Sequence, residues 1–259
     1  MITITDSYLH VFGKEIPYYG ICFVAGFALS SLIALLNCKK GGISGWEAVF
    51  SGVFAGVGAI IGAKLLSVLV SLNIIIEYRL TLKQIMQNGF VFYGGLIGGI
   101  AGLFIYCKIY KLPFLRYTDV FAPAVPLGHA VGRIGCLFSG CCYGINHDGF
   151  FSVIYLSSAD VNTPLFTPLF AVQLFEALIL VLIFVVCETV FLKTRKKGVA
   201  SAVYLYSYAI ARFLIELLRN DPARGVAGLS VSQYISVAIA AAVSVAIIAR
   251  GYSDKDISA

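Results

Sequence analysis

Three basic residues of this 259-residue chain stand where charge is costly: Lys64, Arg133 and Arg212 each lie inside a long apolar stretch. A Lys or Arg at the centre of a helix in lipid costs roughly 2.5 to 3.5 kcal/mol on insertion scales. Such residues therefore face the protein interior, find a partner and mark a functional path. Glu216 follows Arg212 by four residues, a spacing that puts both on one helix face and permits an ion pair. Mutual neutralisation of Arg212 and Glu216 is the plain structural alternative. Convergence argues for more. Tracing each apolar stretch as a helix brings Tyr18, Tyr19, Lys64, Tyr93, Arg133, Arg212, Glu216 and Arg219 toward the outer half of a bilayer. Positive charges and phenols gathered there suit an anion arriving from the outer leaflet. Arginine grips phosphate or carboxylate with a two-pronged set of donors, so a phospholipid headgroup is the natural ligand.

The elements that must hold these residues are long helices. Apolar residues make up 59% of the chain and charged ones only 12%, against about 25% charged in ordinary soluble domains. A bilayer-spanning helix needs about 20 apolar residues, and the chain offers such runs repeatedly. Seven are expected, at 17–37, 47–72, 89–107, 117–140, 169–192, 199–218 and 229–249. The reading is an all-α polytopic membrane protein, residues 1–259 forming one membrane domain. The fourth helix contains Pro123 and Pro126 and is expected to be broken or partly re-entrant. Glycine stripes in the second helix (Gly52, Gly56, Gly58, Gly62) and the third (Gly94, Gly95, Gly98, Gly99, Gly102) fit close helix packing.

The formal charge of +6 reflects orientation better than nucleic-acid binding, because the basic residues sit in short clusters between apolar runs. Lys39, Lys40, Lys108, Lys111, Arg116, Lys193, Arg195, Lys196, Lys197, Arg250 and Lys255 fall on one side, and Lys14, Arg79, Lys83, Arg219 and Arg224 on the other. With seven spans this bias puts the N-terminus outside and the C-terminus in the cytoplasm. The N-terminal stretch lacks the basic region and cleavage site of a secretory signal, so the first helix is expected to be retained. Of seven cysteines, Cys22, Cys38, Cys107 and Cys187 lie singly in or beside helices, where Cys acts as a small hydrophobe. Cys136, Cys141 and Cys142 form the one group. With His129 and His147 they give a weak metal signal, since there is no C-x-x-C pair and adjacent cysteines rarely ligate one tetrahedral ion. A local disulfide and inert packing thiols remain open beside it.

The stretch TDVFAPAVPLGHAVGRIGCLFSGCCYG, Thr118 to Gly144, resembles the signature region of the bacterial prolipoprotein diacylglyceryl transferases, with its arginine-centred motif G-R-x-G-N-F-x-N-G-E followed by a glycine. YYG at Tyr18 to Gly20, the small-residue run ending at Lys64, YGGLIG at Tyr93 to Gly98, VQLFE with Gln173 and Glu176, and RFLIELLRND at Arg212 to Asp221 agree in order. The resemblance implies a bacterial inner-membrane enzyme. It would move diacylglyceryl from phosphatidylglycerol to the lipobox cysteine of a preprolipoprotein, forming a thioether and releasing glycerol phosphate. Arg133 and Arg212 would hold and neutralise the phosphate. Glu216 would orient Arg212, Tyr19 would help bind the headgroup and Arg219 would stand at the outer mouth. Lys64, Gly94, Gly95, Cys136 and Gly144 complete the implied substrate contacts. No cofactor or metal is required by this scheme, and no nucleic-acid partner.

The chain departs from the family pattern at several points. Tyr93 stands where the family has the histidine often proposed as base, and a phenol with an ordinary pKa near 10 is a poorer base at neutral pH. Cys136 and Ser139 replace the two asparagines of the signature, Cys141 its acidic residue, and Lys64 an arginine. His129, four residues before Arg133, would share its face in a regular helix, and a neutral imidazole can accept a thiol proton. A packed core histidine is the competing reading. Three other functions stay in view: a paralogue with another acceptor or donor, a noncatalytic lipid-binding protein, and a transporter. The last is disfavoured, because the ionisable residues cluster at one face and no repeated half is visible.

Overall fold

The computed structural model describes residues 1–11, 13–87, 91–194, 196–220 and 229–256. Two short strands, β1 (Ile2–Ile4) and β2 (Tyr8–Val11), and a third, β3 (Lys14–Pro17), precede α1 (Tyr18–Gly41). Then come α2 (Gly45–Val70), the short α3 (Leu72–Glu77) and α4 (Leu82–Gln87), α5 (Phe92–Ile109), α6 (Phe114–Phe121) and α7 (Ala124–Ser139). Strands β4 (Ser152–Tyr155) and β5 (Leu169–Phe170) lead into α8 (Val172–Lys193) and α9 (Val199–Ile215). A 3-10 turn (Glu216–Leu218) follows, and α10 (Val231–Asp256) ends the order.

The seven expected spans are all present: α1, α2, α5, the broken pair α6 and α7, α8, α9 with its 3-10 turn, and α10 to Ala249 are long and apolar enough to cross a membrane. At 1.5 Å per residue the 24 residues of α1 reach about 36 Å, enough for a hydrocarbon core of about 30 Å. Apolar faces confirm the solvent. Phe50, Val53, Val57, Ile60, Ile61 and Leu65 of α2 are each more than half exposed, a continuous patch that water would not tolerate and lipid does. The chain is a polytopic membrane protein.

The described residues form two compact units, one of Met1–Ala34 with Phe121–Ala259, the other of Leu35–Val120. In the second unit α2 packs along α5, and glycines make this possible. A Cβ on Gly62 would run into the backbone of Gly94 and Gly98, and one on Gly58 into that of Gly98 and Gly102. Of the expected stripes, Gly58, Gly62, Gly94, Gly98 and Gly102 thus form a backbone-to-backbone interface, and Gly56 stands outside it. Leucine at Gly62 must push the helices apart, because the atoms it meets are main chain. Gly62→Leu is expected to destroy the monodisperse peak in detergent gel filtration, whereas Gly56→Leu, with open space around its Cβ position, keeps it.

In the first unit α7 packs on α8, α8 on α9 and α9 on α10. The fourth span breaks at Ala122 and Pro123. Prolines 123 and 126 have no N–H to give to the carbonyls four residues earlier, and Pro123 also disfavours helical backbone at Ala122. Pro126 sits in the first turn of α7, where its missing donor costs nothing. The Ser30 hydroxyl of α1 donates to the Ala124 carbonyl at 2.9 Å. A Cβ on Gly26 would meet the Gly128 carbonyl, and one on Gly135 would meet Tyr19 and Cys22, so α1 lies close along one face of α7.

The polar connection at 145–168 carries structure that the apolar pattern does not reveal. β1 pairs in parallel with β4, Ile2 opposite Val153, and β4 pairs antiparallel with β5. Ile4, Leu137, Tyr143, Val153, Tyr155, Leu169 and Ala171 make a small core beneath this sheet. It seats the turn after α7 on the start of α8.

Candidate active site

Arg133 is buried, 7% exposed, on the face of α7 turned away from α1. At about 100° per residue it lies about 140° around the helix from Gly128 and about 160° from Gly135, the glycines that admit α1. That face meets α8. Arg133 Nε stands 3.1 Å from Glu176 Oε2, and Arg212 NH1 of α9 approaches the same oxygen at 3.7 Å. Arg212 NH2 contacts Glu216 Oε2 at 2.5 Å, and lies 3.4 Å from the Ser232 hydroxyl at the start of α10. Two guanidinium groups and two carboxylates therefore form one buried chain, Arg133 to Glu176 to Arg212 to Glu216. Formal charges cancel within it, which is how such groups survive in a low-dielectric interior.

The expected pair of Arg212 and Glu216 is present, but it is not closed on itself. Glu176, which is 1% exposed, joins it to Arg133. In the sequence Glu176 stands out only as part of the VQLFE segment, a carboxylate in the second turn of an apolar helix. Arg133 is engaged through Nε alone, and its two terminal nitrogens have no hydrogen-bond or ion-pair partner among the described residues. Those nitrogens are the two-pronged end of the guanidinium, outside its pair with Glu176.

α7 is regular through His129 and Arg133, so the two share a face as the spacing requires. The His129 ring meets Tyr208 edge-on at 5.4 Å, and Tyr208 stacks with Tyr204 at 6.1 Å.

The turn after α7 holds the remaining signature residues. Gly140 caps the helix with φ +78°, in the left-handed region that glycine enters freely. Ser158 donates to the Ser139 carbonyl at 2.9 Å and Thr163 to that of Gly140 at 3.2 Å. Gln173, fully buried one turn before Glu176, donates to the Cys141 carbonyl at 2.7 Å and contacts the Tyr155 hydroxyl at 3.3 Å. Gly144 bridges to Arg219, and a Cβ there would meet the carbonyls of Phe170 and Leu218. Its value is close backbone approach, tying this turn to the entrance of α8 and the exit of α9.

All seven cysteines are free thiols. The sulfurs of Cys136, Cys141 and Cys142 lie within 4.8 Å of one another. Hydrogen bonds from Cys136 and Cys141, with the cations Arg219 and Arg133 nearby, hold the Cys142 thiol well below its ordinary range. The same sharing of protons with Cys136 and Cys142 pushes the Cys141 thiol up.

Of the residues expected in the site, Tyr19, His129, Arg133, Cys136, Gly144, Arg212, Glu216 and Arg219 belong to the first unit. Tyr19 stands at the first turn of α1, beside Gly135. Lys64, Tyr93, Gly94 and Gly95 belong to the second unit. There the Lys64 ammonium donates to the Met86 carbonyl at 3.1 Å. Tyr93 is buried in the first turn of α5, and Gly94 and Gly95 face α2. Asp221, and Arg195 and Arg224 of the charge count, lie outside the described residues, as do residues 89 and 90 of the expected third span.

Fold and site together define a polytopic membrane protein with an ion-paired arginine cluster buried among its helices. Comparison with known proteins gives that class a family. The model of the prolipoprotein diacylglyceryl transferase family matches residues 7–249, and the chain belongs to this family of transferases. It is 30% identical over 234 residues to phosphatidylglycerol–prolipoprotein diacylglyceryl transferase 2 of Clostridium perfringens, covering 88% of this chain and 89% of that protein. The phosphatidylglycerol–prolipoprotein diacylglyceryl transferase of Clostridium tetani is 32% identical over 229 residues, with 88% and 90% covered. That of Clostridium botulinum strain Langeland is 31% identical over 232 residues, again with 88% and 90% covered.

Proposed function

We propose that this chain transfers a diacylglyceryl group from phosphatidylglycerol to the lipobox cysteine of preprolipoproteins. It works in the bacterial inner membrane, with its N-terminus outside and its C-terminus in the cytoplasm. The observation that carries the reading is the buried Arg133, paired through Nε to Glu176, with no other ion pair to its guanidinium among the described residues. The reaction joins the acceptor sulfur to a glyceryl carbon and breaks that carbon's bond to a phosphate oxygen. The electron pair leaves on glycerol phosphate. Donors fixed in advance where this charge develops stabilise the transition state most. The fork of Arg133 meets the phosphate, and Arg212, held by Glu176 and Glu216, adds its field. Tyr19 lies at the headgroup, with Arg219 bridged to Gly144 in the turn that follows the Cys136 end of α7.

The acceptor thiol must become a thiolate before it attacks. His129 and Tyr93 are the candidate bases on this chain, and Lys64, Gly94 and Gly95 keep the substrate roles that the resemblance assigns them. We read residues 1–259 as one membrane domain, with the second unit inserted in the sequence of the first. Cys136 and Cys141 at the family's asparagine and acidic positions favour, as a second reading, a paralogue that has changed acceptor or donor.

The test is transfer of labelled diacylglyceryl from phosphatidylglycerol to a lipobox peptide by the purified protein in detergent. Thioether product with the cysteine peptide and none with its Cys→Ala version is the expected result. A folded protein that binds phosphatidylglycerol and yields no product overturns this donor and acceptor pair.

A further inference from the structure

Sequence spacing disfavours a metal at the cysteines, because no C-x-x-C pair is present. Folding changes the picture. Cys136 comes from the last turn of α7, the left-handed Gly140 reverses the chain, and Cys142 itself has φ +62°. Few residues with a side chain adopt that conformation, and it persists where the surroundings dictate it. Gln173 pins the Cys141 carbonyl and Gly144 is wedged between two other segments, so the turn is dictated from both sides. The result is three half-buried sulfurs, all within 4.8 Å of one another. Bound to one tetrahedral zinc at about 2.3 Å, two sulfurs stand about 3.8 Å apart, a side-chain rotation away from this arrangement.

We infer that Cys136, Cys141 and Cys142 bind a zinc ion through three thiolates, and that its fourth position takes the thiol of the acceptor protein. The acceptor half of this inference rests on the transfer reading above. Three soft thiolate ligands select a thiophilic ion, and three protein ligands with one open position are the arrangement of catalytic rather than structural zinc. Zinc and three thiolates carry a net charge of −1. Arg133 and Arg219 lie within electrostatic reach of the sulfurs and offset it.

The chemistry follows from the charge. The acceptor S–H gives its proton to a zinc-held hydroxide, which leaves as water, and the thiolate takes the vacated position. Its sulfur then attacks the glyceryl carbon, the carbon–oxygen bond to phosphate breaks, and the electron pair departs on the phosphate beside Arg133. The thioether product is a poor zinc ligand and leaves. A site built this way makes its thiolate with the metal. That is a physical reason for a tyrosine to stand at position 93, where the family carries a proposed base.

Metal content of the full-length protein, purified in detergent under reducing conditions without chelators, tests the site directly. One zinc per chain is expected in the parent and in Cys107→Ser, and loss of zinc in Cys136→Ser, Cys141→Ser and Cys142→Ser. Cobalt(II) substitution reports the ligands through its thiolate-to-cobalt charge-transfer band. That band grows when a reduced lipobox peptide is added and not when its Cys→Ala version is. Cys141→His guards against misfolding, since imidazole retains the ion and lowers the band by one thiolate. A folded, reduced parent with neither stoichiometric zinc nor a cobalt band overturns the site. A cobalt band indifferent to the peptide, or copper(I) closed in a three-sulfur plane, overturns the acceptor role. None of these readings uses phosphatidylglycerol. A failed transfer assay therefore tells against the transfer reading alone, and a missing metal tells against the zinc alone.

Discussion

Arg133→Ala is expected to lower kcat/KM for diacylglyceryl transfer by about 10² to 10³, the scale seen when one preorganised donor to a developing anion is removed. The protein should stay folded. Glu176, left behind, still has Arg212 at 3.7 Å, and Arg212 still has Glu216. Arg133→Lys restores the charge and not the fork: its donors sit on a single nitrogen, so the planar pair that matches two phosphate oxygens while Nε holds Glu176 is lost. It should recover little of the rate. If the fork acts mainly as the phosphate leaves, kcat carries the loss; if it holds the headgroup from the start, KM does. Steady-state kinetics in mixed micelles at varied phosphatidylglycerol separate the two. An alanine variant that keeps its turnover within a few-fold would remove Arg133 from the site.

The sequence makes the spans and the arginines legible for the same reason. Lipid forbids exposed polar groups, so about 20 apolar residues in a row announce a helix and one charge among them announces a function. Pro123 and Pro126 announce the break in the fourth span in the same local way. What stays hidden depends on contacts far apart in sequence. Glu176 reads as one carboxylate near a helix end, and nothing within α8 says that α7 and α9 deliver an arginine to each side of it. The cysteines look scattered because the left-handed turn at Gly140 and Cys142 that gathers them is a backbone event, not a spacing. β1 escapes notice because three residues, Ile2–Ile4, carry no periodicity and find their partner only at Val153.

Glu176→Ala is expected to cost the fold more than any arginine variant, about 3 to 5 kcal/mol, because it strands charge in the interior. Arg133 loses its only ion-pair partner among the described residues, and Arg212 loses one of two. Thermal unfolding in detergent should show a lowered Tm. The double variant Arg133→Met with Glu176→Met removes the stranded cation together with its partner. Replacing a whole buried pair by apolar groups is often neutral or stabilising, so Tm should return toward the parent value. Activity should not return, because the fork is gone. With Arg133→Met and Glu176→Met as the matching single variants, a double-mutant cycle on unfolding stability isolates the coupling of the two residues. Recovery of stability without recovery of transfer assigns Glu176 to holding Arg133 and assigns the chemistry to Arg133. Independent, additive losses would mean that the two side chains do not act as a pair.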